Sequence, residues 1–189
     1  MILSFMELVD MLVMTAFVGY IFMDSFQPKR LHRDVLDIYA KKGFDFEAFK
    51  FAAMVTAPAI ILHELGHKFA AMGFGLTAEF HAAYMWLAIG LAMKLMNTGF
   101  IFFVPAYVSI LGNATPAAFS ITAFAGPFVN LLLWLGSLAA LKFNIFKRKY
   151  TYVLLLTQKI NMFLFIFNML PLPMFDGYKV FSGLIQAFF

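Results

Sequence analysis

Long runs of apolar residues, separated by short polar stretches, are the main pattern along this chain of 189 residues. An α-helix needs about 20 residues to cross the roughly 30 Å of hydrocarbon in a bilayer. Four runs have about this length: Ile2–Met23, Phe51–Met72, Ala117–Leu141 and Tyr152–Leu170. The pattern therefore predicts an all-α polytopic membrane protein, a transmembrane helix bundle with these runs as its full spans.

Residues 73–116 depart from this pattern. The stretch "GFGLTAEFHA", which begins at Gly73, has the glycines and the alternation of a short strand, and "GFIFFVPAYVSILGN", from Gly99, is rich in β-branched and aromatic residues. The apolar segment between them, Ala82–Gly99, is short for a crossing. Because exposed strand edges are not tolerated in hydrocarbon, we expect the strands to pair with each other or with another partner near an interface. The sequence predicts a small membrane-associated β-hairpin or sheet within a possible re-entrant segment.

The polar connector Asp24–Lys50 and the last residues complete the predicted architecture. Within the connector, "PKRLHRDVLDIYAKKG" places Leu31, Val35 and Ile38 at helical spacing. This pattern fits an amphipathic helix on the membrane surface, and it fits an ordinary solvated linker helix equally well. The final apolar segment, Val180–Phe189, is too short to cross alone and is predicted as a short helix. We expect residues 1–189 to form a single transmembrane domain.

Composition supports a lipid environment. Hydrophobic residues make up 63% of the chain and charged residues 13%, against roughly 45–50% and 25% in soluble domains. A water-soluble globule is therefore excluded, because too little polar sequence exists to cover its surface. The net charge of +4 is modest and the basic residues cluster near predicted membrane ends, which indicates contact with lipid headgroups rather than nucleic acid. We expect an integral, multi-pass protein of the cell membrane, and nothing in the sequence indicates its oligomeric state.

A metal-binding pattern lies inside the second apolar run, in "AIILHELGHKFAAMGF". His63 and His67 are four residues apart, so a helix places both imidazoles on one face, where they can reach one cation. Glu64 lies about 100° round the helix from His63. That position suits a general base acting on metal-bound water. Since ionisable residues are costly in lipid, the pattern predicts a catalytic site with one Zn²⁺ per chain. The alternative is a polar cluster that packs helices together.

A third ligand is needed, because catalytic zinc usually has three protein ligands. The candidates are these side chains: Glu7, Asp10, Glu79, His81 and Asp176. Asp176 is favoured because Pro171 and Pro173 interrupt the preceding helix, and irregular backbone at membrane depth is tolerated where it lines a cavity. On spacing alone, a helix-capping role fits Asp176 equally well. His81 is interpreted as an interfacial hydrogen-bonding residue, and Glu7 and Asp10 as interfacial carboxylates.

Polar residues also recur at helical spacing on the last full run, at Gln158, Asn161 and Asn168. Such a stripe within a span fits a wet path to the metal. It fits interhelical hydrogen bonding equally well.

Three motifs in order, "HELGH", "AGPFVN" and "NMLPLPMFDG", resemble the site-2 protease family of intramembrane zinc metalloproteases. The resemblance covers roughly Phe51–Gly183. It implies that His63, His67 and Asp176 hold zinc, and that Asn168 helps to polarise the scissile carbonyl. By the same resemblance, Asn130 occupies the asparagine position of the Gly-Pro-x-x-Asn motif and is a further catalytic candidate. The "GFIFFVPAYV" segment is similar to the family's membrane-associated strand, which is proposed to pair with an unwound substrate.

The chain departs from the family pattern in two places. Tyr178 stands where many members have a second glycine after Asp-Gly, and Ala82–Gly99 is similar to an insertion found among archaeal members. Many bacterial members carry a PDZ domain and some others a CBS domain, and we expect this chain to resemble an archaeal-like member without either.

The predicted function is hydrolysis of peptide bonds within transmembrane segments of membrane-protein substrates, that is, regulated intramembrane proteolysis. A non-catalytic membrane metal-binding or transport protein is the alternative. Such a protein would use the same ligands but would not need Glu64.

Overall fold

The computed structural model describes residues 2–26, 43–99, 101 and 103–188. Its elements follow in chain order: α1 (Phe5–Phe22), α2 (Phe46–Gly73), β1 (Thr77–Ala82), α3 (Tyr84–Leu95), β2 (Ala106–Leu111), α4 (Pro116–Lys142), a 3₁₀ turn (Arg148–Tyr150), α5 (Thr151–Asn168) and α6 (Asp176–Phe188). The surface helix predicted for the polar connector lies outside the described residues.

Four helical segments in the described part of the chain are long and apolar enough to cross a membrane. They are α1, α2, α4 and the continuous stretch Arg148–Asn168, which joins the 3₁₀ turn to α5. Each coincides with one of the apolar runs of the sequence, which confirms the predicted helical class and the multi-pass membrane location. Helix α3 has 12 residues, a length of about 18 Å at the usual rise per residue, so it is too short to cross alone.

The two strands pair with each other as an antiparallel sheet, in a register that runs from Thr77 opposite Leu111 to Ala82 opposite Ala106. This confirms the predicted small β element. One face of β1 is buried, and its Phe80 packs in a cluster with Met14 and Val18 of α1. The sheet is therefore anchored on helix α1. Whether residues 73–116 as a whole re-enter the membrane stays a prediction.

A buried ion pair joins three elements beside this cluster. Lys68 of α2 donates a hydrogen bond to the carboxylate of Glu7 in α1. Its Nζ also donates to the carbonyl oxygen of Ala78 in β1, at 2.9 Å. Glu7 also accepts the backbone N–H of Phe80, at 2.8 Å. The side chains of Lys68 and Glu7 are only 2% and 5% exposed. Glu7 is therefore a buried and paired carboxylate, and a cation from another helix allows this burial. Its interpretation as a carboxylate at the membrane interface stays a prediction.

Helices α2 and α4 pack closely where α2 carries the histidine motif. A Cβ built on Gly66 would lie 2.8 Å from the carbonyl oxygen of Ala125 in α4. A larger residue at position 66 would therefore separate the helices. This contact sets α4 against the face of α2 that bears His63 and His67. The treatment of the whole chain as one domain stays a prediction.

Candidate active site

Two histidines one turn apart on α2 form the first half of the site. The rings of His63 and His67 meet edge to face, with centroids 4.8 Å apart. Their Nε2 atoms lie 3.1 Å from each other, and both side chains are buried. The i, i+4 spacing in the sequence therefore produces the shared face that was predicted from it.

Asp176 completes the group from the first residue of α6. Its Oδ2 lies 3.2 Å from the Nε2 of His63 and 3.2 Å from the Nε2 of His67. The chain reaches this point because α5 ends at Asn168 and a turn with two prolines precedes α6. Gly177 permits the approach, since a Cβ at this position would lie 2.6 Å from the carbonyl oxygen of Leu170. A side chain there would push the start of α6 away.

These three side chains fit a zinc ion. The ligand atoms of a tetrahedral site with bonds of about 2.0–2.1 Å lie about 3.3 Å apart, close to the 3.1–3.2 Å found between the two nitrogens and Oδ2. They form a cluster of three potential ligands within the described residues. Gly126 of α4 leaves the ligand atoms room, because a Cβ at this position would lie 2.8 Å from the Nε2 of His63 and closer still to His67. The donor set and its space therefore suit one metal ion.

The outer sides of the ligands are held by hydrogen bonds. The Nδ1 of His67 lies 2.8 Å from the carbonyl oxygen of Thr122. A carbonyl can only accept, so this nitrogen carries the hydrogen and Nε2 presents its lone pair towards Asp176. This hydrogen bond therefore leaves His67 in a form that can bind a metal through Nε2.

The cluster opens into a cavity of about 720 Å³, lined by His63, Glu64, His67, Asp176 and Asn168. Most of the remaining wall is apolar. Residues 103–108, which lead into and include the first half of β2, form part of it. Thr122 is also among the lining residues, and its hydroxyl is buried and has no hydrogen-bond partner among the described residues. The space can therefore hold an extended apolar ligand beside a few polar groups.

The structure places the remaining predicted residues as follows. Asn130 does not line the cavity. It is fully buried behind His63, and its side-chain oxygen lies 2.5 Å from the Nδ1 of that ring, a location that favours a positioning role over contact with substrate. The other carboxylate and histidine candidates, Glu7, Asp10, Glu79 and His81, lie outside the metal cluster.

Sequence reasoning missed Gly126 and Thr122. Gly126 belongs to the quoted "AGPFVN" motif, so its presence there was a signal, but its contact with the histidines depends on helix packing. The contact of Thr122 is made by its backbone carbonyl and has no signature in the side chains.

Comparison with known proteins gives one relative. No family model matches the chain, and no solved structure matches it. A protein of Methanocaldococcus jannaschii named "Putative zinc metalloprotease MJ0611" is 34% identical over 145 residues, which cover 76% of this chain and 75% of that protein. With this identity and coverage, and with a His–His–Asp cluster suited to zinc, the chain belongs to the zinc metalloprotease family that this relative represents.

Proposed function

We propose that the protein is an intramembrane zinc metalloprotease that hydrolyses peptide bonds within transmembrane segments of membrane proteins, with the chemistry of the site-2 protease family. One observation carries the proposal. The candidate ligands and Glu64 face the same cavity, and that cavity lies among helices apolar enough to cross a membrane. A soluble substrate would not need a hydrolytic site in such surroundings.

Zinc would be held by His63, His67 and Asp176 and, when bound, would supply a Lewis acid that eases the deprotonation of water and polarises a carbonyl. The protein side chains contribute the rest of the chemistry. Glu64 would accept the proton of the attacking water and then deliver it to the amine nitrogen that leaves. Its location on α2, one residue after a ligand, keeps the carboxylate beside the reacting atoms without making it a ligand.

Asn168 would act on the substrate carbonyl. It is the last residue of α5 and lines the cavity together with Glu64. Its amide N–H can donate a hydrogen bond to the oxygen on which negative charge develops, the role of an oxyanion-hole donor. Asn130, being fully buried, would not contact that oxygen.

Strand β2 offers a way to present the scissile bond. A helical substrate hides its peptide groups in internal hydrogen bonds, so it must unwind before attack. Among the described residues β2 pairs on one side only, with β1, and residues 104–108 face the cavity. An unwound substrate segment would add to the free edge of β2 as a further strand, which would hold it extended near Glu64. The partners implied are thus a transmembrane protein and the surrounding bilayer.

Replacement of Glu64 tests this function. We expect Glu64→Gln to retain zinc and to lose proteolysis, since an amide cannot accept the proton. The control is Glu79→Gln, which changes an exposed glutamate on β1. Quantitative proteomics of membranes from cells that carry each form would reveal substrates as proteins that accumulate only with Glu64→Gln. Unchanged membrane proteomes, with full zinc content in every form, would instead favour a metal-binding or transport protein.

A further inference from the structure

A chain of three polar side chains runs from the candidate metal site to helix α5, which supplies no metal ligand. The Nδ1 of His63 lies 2.5 Å from Oδ1 of Asn130. The Nδ2 of Asn130 lies 2.8 Å from Oδ1 of Asn161 and 3.1 Å from the carbonyl oxygen of Ala59. Asn161 in turn donates from Nδ2 to the carbonyl of Thr157, at 2.8 Å. Asn130 and Asn161 are 0% and 1% exposed, so these contacts are not shared with solvent.

The direction of every hydrogen bond in this chain is determined by its far end. The carbonyl of Thr157 can only accept, so the Asn161 group facing it must be the NH₂, and the amide oxygen of Asn161 must face Asn130. That oxygen also only accepts, so Asn130 presents its NH₂ to it. The carbonyl of Ala59 imposes the same orientation on Asn130 independently. Both hydrogens of the Asn130 NH₂ are thereby used.

The oxygen of Asn130 is therefore left to face His63. Because an amide oxygen accepts and cannot donate, the Nδ1 of His63 must carry the hydrogen. In a neutral imidazole, Nε2 then bears the lone pair, and Nε2 is the atom that lies 3.2 Å from Oδ2 of Asp176. The chain of amides thus selects the form of His63 that can bind a metal on the side where the other ligands are.

We infer that Asn161 is a positioning residue for the metal site: through Asn130, it fixes the tautomer and the ring orientation of His63. This inference rests on the metal-ligand part of the proposed function and is independent of proteolysis. Of the polar residues on α5, Asn161 is thereby assigned a function. The geometry of the metal site then depends on how α2, α4 and α5 pack against one another. Partners of this kind typically change metal affinity by about 10–100-fold when they are lost.

The test compares three substitutions in the full-length protein purified in detergent. Asn161→Leu removes the acceptor at similar volume and leaves one N–H of Asn130 unpaired. Asn161→Asp, protonated in its buried position, keeps an oxygen for Asn130 and an O–H for the carbonyl of Thr157. Gln158→Leu is the control, since it removes a polar side chain from the same helix one turn earlier, outside the amide chain.

Two readouts are measured for each form. Zinc affinity is obtained by competition with a chromophoric chelator, and the tautomer of His63 is obtained from ¹⁵N shifts of labelled histidine in metal-free protein, a practical measurement because the chain has four histidines. We expect Asn161→Leu to bind zinc about 10-fold more weakly or worse and to show mixed His63 tautomers. Asn161→Asp should stay close to the parent protein, and Gln158→Leu should match it.

The inference is overturned if Asn161→Leu keeps both the parent affinity and the Nδ1–H form of His63. It is also overturned if Gln158→Leu weakens zinc binding equally, since general loosening of α5 would then explain the effect. A parent protein that binds zinc without cleaving any membrane protein would refute the proposed protease and leave this inference intact. If the parent protein binds no zinc, the metal-free spectra still test the inference: mixed His63 tautomers in Asn161→Leu support it, and a retained Nδ1–H form overturns it.

Discussion

At the scale of single residues, the candidate metal site depends on an absent side chain as much as on those present. Gly126 lies on α4 directly opposite the ligand nitrogens, and a Cβ there would be 2.8 Å from the Nε2 of His63. Such a contact is shorter than real Cβ atoms show, and the histidines cannot withdraw because their other nitrogens are hydrogen-bonded to Asn130 and Thr122. The glycine is thus part of the site.

We therefore predict that Gly126→Ala loses most of its zinc while the helix itself is little affected. Gly136 provides a matched control on the same helix, because nothing lies within 4 Å of a Cβ built there. Gly136→Ala should keep its zinc and should be slightly more stable, since alanine is favoured over glycine in helices by about 1 kcal/mol. Metal analysis and thermal unfolding of both variants check this. Equal zinc contents in the two would contradict the proposed contact.

Asp176 and Asn168 allow metal binding and transition-state stabilisation to be separated. A carboxylate partly neutralises the charge of zinc and an amide does not, so Asp176→Asn should lose zinc and cleavage together. Asn168→Ala should keep zinc and bind substrate almost normally, but cleave about 10²–10³-fold more slowly, the usual cost of one lost oxyanion donor. Metal content and single-turnover cleavage, measured side by side, decide the assignment. Zinc loss in Asn168→Ala with zinc retained in Asp176→Asn would reverse the two roles.

At the scale of elements, the Lys68–Glu7 ion pair ties α1, α2 and β1 together one residue after the ligand His67. Each charge is buried and has the other as its partner. Loss of one partner leaves an uncompensated buried charge, which typically costs about 3–5 kcal/mol, whereas replacement of both by apolar residues of similar volume is often neutral. The pair therefore fixes the position of the sheet beside the site.

We predict that Glu7→Leu and Lys68→Met each lower the thermal stability clearly, and that the double variant is more stable than either single one. The exposed pair Glu47–Lys50, at the start of α2, is the control, since surface ion pairs contribute little. Glu47→Leu should leave the unfolding temperature nearly unchanged. If the effects of the two single variants simply add in the double variant, the side chains are not coupled as described.

At the scale of the whole molecule, helix α3 lies between the strands without being one of the candidate spans. A length of about 18 Å cannot bridge a bilayer core of about 30 Å, and the two strands it connects pair with each other. Both ends of α3 should therefore be reached from the same side of the membrane.

Cysteine labelling can check this, because the chain contains no cysteine. Met85 and Met96, at the two ends of α3, are both largely exposed and suit substitution by cysteine. We expect an impermeant thiol reagent to label Met85→Cys and Met96→Cys from one side only. Asn113→Cys and Phe143→Cys, which bracket the candidate span α4, serve as the control and should be labelled from opposite sides. Labelling of the two α3 positions from opposite sides would show that α3 crosses.

The sequence alone was sufficient to predict the features that depend on residues close together in the chain. The length of the hydrophobic runs indicated a lipid environment and the positions of the spans. The alternation of residues with period two indicated β1. The four-residue spacing of His63 and His67 placed both on one helix face, because the helical repeat involves only residues close in sequence. Asp176 was predicted as their partner from the interrupted helix before it and from the family resemblance. On spacing alone, a helix-capping role fitted Asp176 as well as a role as metal ligand.

The tertiary structure decided everything that depends on which helix lies against which. Glu7 can be buried because Lys68, 61 residues away in sequence, pairs with it. No local pattern in the sequence indicates this contact. Asn130 and Asn161 gained a direction for their hydrogen bonds only when α4 and α5 placed them behind His63. Gly126 became part of the site because α4 packs against the ligand face of α2. Local sequence patterns are sufficient to predict a helix or a strand, because its repeat involves only neighbouring residues. The packing of elements that are distant in sequence depends on the shapes of all the surfaces that meet, so it is not visible in any local pattern.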